Sequence, residues 1–437
     1  MNTAVRAESA GPAEGLYCDI SVVSTDAQLN ELEGEWNILL QESQATVFQS
    51  FEWISACWKY FHGRSTLHCL AFRSDGRLVG LAPLCRRRVR LFFRVCTVLE
   101  FIGRPHGDYN DFIALPGYER AVVRAFVHHF ASGEAHADAL DLDEIPTTSP
   151  LKLYLAEEAQ MAHLDLVVQP GPVCPYIPLP ASFEEFLAAL GPNTRYNYRR
   201  KWSKLSDSHK TAERFLHEPG EDLNGGITSF MRIHSDRWKG LGFPSVFDKP
   251  VHRSFISEVS HRFAVRDWLR LYLLEVDGID VAASLEFAHH GRIYMYNSNA
   301  SGAPEVMKQS PGLLVKISAI RQGISEHMRE YDMLRGEETY KYDHLKALER
   351  FNTTMRLAAP SATGRMRFRL YLLWLFLKKV IGRTRLEYHE WRRFAITKQP
   401  GIKENINYFA RRAAKVTHMA VDFFAVYFRR RSNTSGA

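Results

Sequence analysis

Two β-hairpin signals of one kind constrain this chain more than any other feature. Asp75-Gly76 stands within LHCLAFRSDGRLVGLAPL, and Asp277-Gly278 within LRLYLLEVDGIDVAASLEF. Asp-Gly between alternating apolar runs is the strongest short-range mark of a tight turn joining antiparallel strands. The two pairs lie 202 residues apart, and at that offset Val79 meets Val281, Gly80 meets Ala282 and Leu81 meets Ala283. Around each pair the order is helices, then a hairpin-led sheet, then a helix and a strand. The chain is therefore read as an internal duplication, an α+β tandem of mixed sheets covered by helices.

Periodicity places the first half at 17–172 and the second at 173–360. The first holds a strand at 17–25, helices at 26–43 and 50–61, the hairpin, strand-like runs near 90–102, 111–114 and 139–143, and a helix at 117–131. In the second, Ser182 to Glu185 reads as a capping box, Asn193 opens a basic helix, and helices follow at 221–239 and 250–264. Three strands come next, the third being RIYMYNSNA (292–300). A helix to about 327, a short strand EYDML (330–334) and a closing strand RFNTTMRLA complete it. Residues 1–16 read as disordered.

The net charge of +7 is unevenly placed. From Arg365 onward there are 17 Lys or Arg against 4 Asp or Glu, so the body is mildly acidic and the tail, 361–437, carries the basicity. FRLYLLWLFLKKV (368–380) is too short an apolar run to span a bilayer, which needs about 20 residues. Flanked by arginines, it suits an amphipathic helix on an anionic membrane surface or a helical hairpin packed on the body. FARRAAKVTHMAVDFFAVYFRRR, 409–431, repeats the pattern. The six cysteines show no C-x-x-C spacing, which predicts buried thiols in a reducing compartment. With no apolar core in the first 16 residues, the chain reads as cytoplasmic, peripheral at the inner face of the membrane if the tail binds lipid.

The stretch KQSPGLLVKI (308–317) joins a strand to a helix. Ser310 can cap, Pro311 suits the first turn, and Gly312 lets another group approach the backbone. Free N–H groups there, aided by the helix dipole, make an anion site. No metal-ligand spacing, G-x-S-x-G, Walker loop or dinucleotide fingerprint is present.

NTRYNYRRKWSKL, RIHSDRWKGLG, VDGIDVAASLEF with GRIYMYNSN, SPGLLVKISAI and YDMLRGEETYK follow one another between 193 and 341. In that order they resemble the GNAT superfamily of N-acetyltransferases, in the branch that includes CelD-type cellulose-biosynthesis proteins and is related to Fem-type aminoacyltransferases. HGDYNDFIALPG (106–117) is similar to the first half of such proteins. Two departures stand out: QSPG replaces the Gln/Arg-x-x-Gly-x-Gly/Ala loop, and YDHL follows Tyr340 and Lys341 where a tryptophan is expected.

The resemblance implies two GNAT-like halves with one competent site, and acetyl-CoA or another acyl-CoA as co-substrate without a metal. It places the coenzyme's pyrophosphate at Ser310, Pro311, Gly312 and Leu313, with Lys308 and Gln309 flanking. Backbone N–H groups around Tyr296, Asn297 and Ser298 would hold the thioester carbonyl. Candidate bases are Glu286, Asp332, Glu337 and Glu338, with His234 behind them. Tyr340 would protonate the thiolate, and Lys341 would meet a phosphate or the acceptor's acid group. Arg195, Arg199, His234, Arg237 and Trp238 are candidate acceptor contacts, although a basic helix such as 193–205 is more often a solvated face. The acceptor expected is a small or sugar-linked amine in polysaccharide or envelope assembly, and no DNA. Two further readings are Fem-type aminoacyl transfer, which would bring tRNA as partner, and a non-catalytic scaffold of a polysaccharide-synthesis complex.

Overall fold

The computed structural model describes residues 16–398, with side chains to residue 384. Residues 1–15 and 399–437, where the disordered start and the second basic apolar run were expected, lie outside the described residues. The first half runs β1 (Asp19–Val23), α1 (Asp26–Glu31), α2 (Glu33–Glu42), α3 (Phe51–Phe61), β2 (Thr66–Leu67), β3 (Cys69–Ser74), β4 (Arg77–Ala82), β5 (Leu84–Leu91), β6 (Arg94–Phe101), β7 (Ile113–Ala114), α4 (Glu119–Ala131), β8 (Ala139–Ile145), α5 (Pro150–Met161) and β9 (Leu166–Pro178). The second runs α6 (Phe183–Ala189), α7 (Pro192–Ser208), β10 (Thr211–Leu216), α8 (Leu223–Gly240), α9 (Pro250–Val265), β11 (Leu269–Val276), β12 (Ile279–His289), β13 (Arg292–Ala300), α10 (Pro304–Met307), α11 (Pro311–Ser325), β14 (Glu330–Asp332), α12 (Thr339–Asp343) and β15 (Leu348–Ala358). Helix α13 (Ala362–Lys398) follows. The fold is α+β, a tandem of two like halves.

The duplication is visible in the turns. Asp75 and Gly76 (φ 48° and 80°) join β3 to β4, and Asp277 and Gly278 (φ 52° and 81°) join β11 to β12. A capping box at Thr46 and Gln49 precedes α3, and one at Ser245 and Asp248 precedes α9. Gly80 faces Ala114 across β4 and β7, as Ala282 faces Ala300 across β12 and β13. Each hairpin is extended by a strand from before the helices, β1 on β3 and β10 on β11.

The halves are laced together. Strands β9 and β15 pair antiparallel with each other, and each also pairs with the other half's penultimate strand, β9 with β14 and β15 with β8. The result is one sheet in the order β10-β11-β12-β13-β14-β9-β15-β8-β6-β5-β2, beside a small sheet β1-β3-β4-β7. The boundary expected at 172/173 therefore falls inside β9. The core crosses it too: fully buried Trp53 touches the rings of Phe255, Phe263, Phe287 and Tyr296. Such contacts dominate burial energetics, at about 1.5–3 kcal/mol for each large side chain.

Several elements differ from the sequence reading. The helix expected at 26–43 is broken at Leu32 into α1 and α2. Ser182 caps α6 through Glu185 N–H, but the reciprocal bond of a full capping box is not formed. Helix α7 starts at Pro192 after Gly191 (φ 82°), so Asn193 is not its cap. All six cysteines are free thiols, five of them buried. The early part of α13 packs on the body: Phe368, Tyr371 and Leu372 meet Val89, Leu91, Cys96 and Val98, and Tyr371 donates to Asp141 at 2.6 Å. Among the described residues no helix is long and apolar enough to cross a membrane.

Candidate active site

Strands β13 and β14 run parallel, yet they pair over Arg292–Tyr294 and Glu330–Asp332 alone. Beyond Tyr294 the strands separate. At that point β13 carries a bulge against β12: Leu285 faces Asn297, Glu286 faces Met295, and Tyr296 is left over. A bulged residue is outside the ladder, so its backbone can serve a ligand. The separation opens a cleft of about 480 Å³ lined by Met295 to Asn299, Leu334, Arg335, Glu338, Tyr340 and Lys341. Helices α8 and α9 supply His234, Trp238, His252 and Phe255 to its wall.

The first half supplies the rest. The loop after β6 folds around Trp53, where a side chain on Gly107 would strike Asn110 Oδ1 at 2.8 Å. It delivers Pro105, His106 and Asp108 into the second half's cleft. Asp108 is buried, which pushes its carboxyl up to about 6 against the pull of Arg335, whose Nε lies 3.3 Å away. Among the described residues Asp108 Oδ1 makes no hydrogen bond. Burial also lowers His106, to about 4, and its ring stacks on Phe61 at 3.8 Å.

The carboxylates proposed from sequence occupy different places. Glu286 is fully buried and accepts from Ser284 and Tyr331 at 2.6 and 2.5 Å, and burial raises it to about 7. Asp332 is also fully buried, accepts from Tyr109 Oη at 2.7 Å and Leu334 N–H at 2.8 Å, and burial raises it to about 7. Neither lines the cleft. Glu337 is exposed and outside it, whereas Glu338 lines it.

Tyr340 reaches the cleft, half-buried beneath Lys316 Nζ at 4.7 Å, and burial raises its hydroxyl above the ordinary value. Lys341 is 2% exposed and does not point at an open phosphate position. Its ammonium donates to Met333 O at 2.9 Å and Gly336 O at 3.1 Å, and pairs with Glu338 at 2.9 Å. It holds the 333–338 loop that forms one wall.

The start of α11 is narrower as an anion site than its sequence suggests. Ser310 is the N-cap residue in left-handed backbone, φ 54°, and its side chain makes no capping bond. Pro311 is buried, and Leu313 N–H is spent on Ser310 O at 2.8 Å. Gly312 N–H remains without a partner among the described residues. Gly312 also serves packing, since a Cβ there would meet Ala300 Cβ at 3.3 Å. Lys201 of α7 donates to Ser310 Oγ at 2.5 Å, so a cation stands at this turn. Lys308 is exposed and Gln309 half-buried beside it.

Among the remaining candidates, His234 and Trp238 share the cleft wall, their rings stacked at 5.8 Å. His234 binds Ser245 Oγ at 2.8 Å, and burial lowers it to about 4, so it stays neutral. Arg237 is exposed and does not line the cleft. Arg195 lies half-buried on α7, and Arg199 faces Glu184 at 3.7 Å on the same outer side of the fold. Neither lines the cleft. His106, Asp108, His252 and Arg335 were not singled out as site residues, and Lys201 was read only as part of the basic helix. HGDYNDF in the first half was the sequence signal for His106 and Asp108, and YDMLRGEETYK held Arg335.

Residues 192–342 match the family model of the acetyltransferase (GNAT) domain. No curated protein matches the sequence. Among solved structures, FemX is similar at 10% identity over 76% of this chain and 96% of its own, with a TM-score of 0.53. L-PGS from Bacillus licheniformis follows at 12% identity, 77% and 96% coverage and 0.47. A tandem GNAT protein from the clavulanic acid pathway shows 13% identity, 78% and 100% coverage and 0.42. At these identities the likeness concerns the fold, and the FemX value is the one that carries it. Residues 192–342 therefore carry a GNAT-type acetyltransferase domain, set in the second of two like halves, and the fold as a whole is similar to that of FemX.

Proposed function

We propose that this protein is an acyl-CoA-dependent N-acyltransferase, with acetyl-CoA as donor and an amine on a small or sugar-linked acceptor as nucleophile. The observation that carries this reading is the cleft where β13 leaves β14, bulged at Tyr296 and completed by Asp108 from the other half. Gly312 N–H, Ser310 Oγ and Lys201 suit the diphosphate of the coenzyme. Backbone N–H groups at the bulge suit the thioester oxygen.

In this scheme the amine nitrogen attacks the thioester carbon, the C–S bond breaks, and the amide forms. Asp108, ionised at neutral pH by its value of about 6, takes the proton released by the amine. Tyr340, held protonated by burial, gives its proton to the thiolate. A second cleft, about 460 Å³, lies near Asp111, Ala114 and Glu119 of the first half, with Arg292, Glu330 and Arg350 of the second half also lining it. There the start of α4 is taken by the Glu119 carboxylate, which accepts Gly117 N–H at 2.7 Å. That negative charge disfavours a phosphate, so donor binding is assigned to the second half.

The FemX likeness favours one other reading, aminoacyl transfer from charged tRNA. Titration calorimetry of the full chain separates them. Saturable heat with acetyl-CoA is the expected result. No heat with acetyl-CoA, together with transfer from charged tRNA, would replace the first reading by the second, and no heat with either would favour a scaffold.

A further inference from the structure

The β5–β6 hairpin breaks the rule its counterparts obey. The turns at Asp75-Gly76, Asp277-Gly278 and His290-Gly291 all place glycine where φ is positive. Between β5 and β6 the two turn residues are Phe92 and Phe93, and Phe92 itself has φ 48°. A bulky residue in left-handed backbone is disfavoured by about 1–2 kcal/mol. Both rings stand in solvent: Phe92 is 55% exposed and Phe93 103%. A local rule broken in favour of exposed apolar surface marks a site where the side chains themselves are used.

The charge around this tip has one sign. Arg86, Arg87, Arg88, Arg90 and Arg94 lie on the hairpin, and Glu100 is its single carboxylate, paired to Arg87. Arg88, Arg90 and Arg94 are exposed and have no ion-pair partner among the described residues. The opposite face, Val89, Leu91, Cys96 and Val98, packs on α13. That helix leaves the body with Leu377 and Ile381 exposed, and with Lys378 over the Trp374 ring at 4.4 Å. Hairpin and helix therefore form one unit carrying apolar tips among cations.

We infer that this unit docks on an anionic lipid bilayer, Phe92 and Phe93 entering the headgroup–acyl boundary and the arginines meeting lipid phosphates. Aromatic rings set among arginines match that boundary, where cations add attraction to anionic lipid. A projecting two-residue tip offers no groove in which successive bases stack, which distinguishes it from a single-strand binder. The inference is independent of the acyl-transfer reading.

The test uses the full chain with vesicles of phosphatidylcholine alone, or mixed with phosphatidylglycerol. Wild type is expected to co-sediment with the mixed vesicles only. Phe92→Ser/Phe93→Ser, with an unchanged thermal melt, should bind at least about tenfold more weakly. Should that variant fail to fold, an environment-sensitive fluorophore on Phe93→Cys, in a Cys18→Ser background, reads insertion directly as a rise in emission on adding mixed vesicles. Equal binding by the double variant, absence of wild-type binding, or a fluorescence response to single-stranded DNA instead of vesicles would overturn the inference.

Discussion

Replacing Lys341 with methionine tests whether this side chain serves the wall or the chemistry. Its three close partners, Met333 O, Gly336 O and the Glu338 carboxylate at 2.9–3.1 Å, use all of an ammonium's N–H donors. Glu338 is 56% exposed and regains water when the lysine is lost, so little is charged to it. The two carbonyls sit on the inner side of the loop. Leaving each unpaired costs about 1–3 kcal/mol. Methionine fills most of the volume and relieves the desolvation of the ammonium, which places the net loss at about 2–4 kcal/mol. Thermal and urea unfolding of Lys341→Met against wild type measure it, and calorimetry should show acetyl-CoA binding weakened as the wall loosens. Lys341→Arg should not rescue, because a planar guanidinium cannot reproduce the convergent geometry. A Lys341→Met protein that melts with wild type but has lost turnover would refute the reasoning and return Lys341 to a direct role in the reaction.

Three other outcomes follow from the geometry. Asp108→Asn should lower kcat/KM by about 10²–10⁴; in wild type the rate should fall as pH drops through about 6, since a protonated carboxyl cannot accept the amine's proton, and a rate profile with no inflection there would remove Asp108 as base. Gly312→Val should weaken donor binding by about tenfold or more, because the helix start must move off Ala300, and unchanged calorimetric affinity would place the diphosphate elsewhere. Glu286, raised to about 7 from 4.5 by burial, binds its proton more tightly folded than unfolded, so its stabilising contribution is present below 4.5 and lost as pH rises through 7. The melting temperature of Glu286→Gln should therefore gain on wild type across that window, and a constant difference would show that Glu286 does not titrate with folding.

The hairpins at Asp75-Gly76 and Asp277-Gly278, the helices around them and the repeated order were legible because each depends on residues close in sequence. The basic helix, the S-P-G helix start and the buried thiols were legible for the same reason. Strand β9 was not. It holds Pro170, Pro172, Pro175 and Pro178, residues that argue against a central strand. In the fold it is a central strand, irregular where Gly171 comes so close to Asn352 that a Cβ would lie 2.8 Å from the backbone there. The nearby register shift between Phe351 and Thr353 accommodates that irregularity.

The site divides the same way. That Tyr296 to Ser298 and Tyr340 would face one cleft followed from motif order. That Glu286 and Asp332 would be sealed in the core, with Asp108 instead at the cleft, did not. Local pattern determines what each segment can become, because propensity, turn chemistry and amphipathic period act over a few residues. That Asp108 lines the cleft while Glu286 and Asp332 do not depends on the exchange of β9 and β15 between halves and on a loop wrapped around Trp53. Those contacts join residues more than 150 positions apart, Tyr109 to Asp332 among them, and they exist only once both halves have closed on one another.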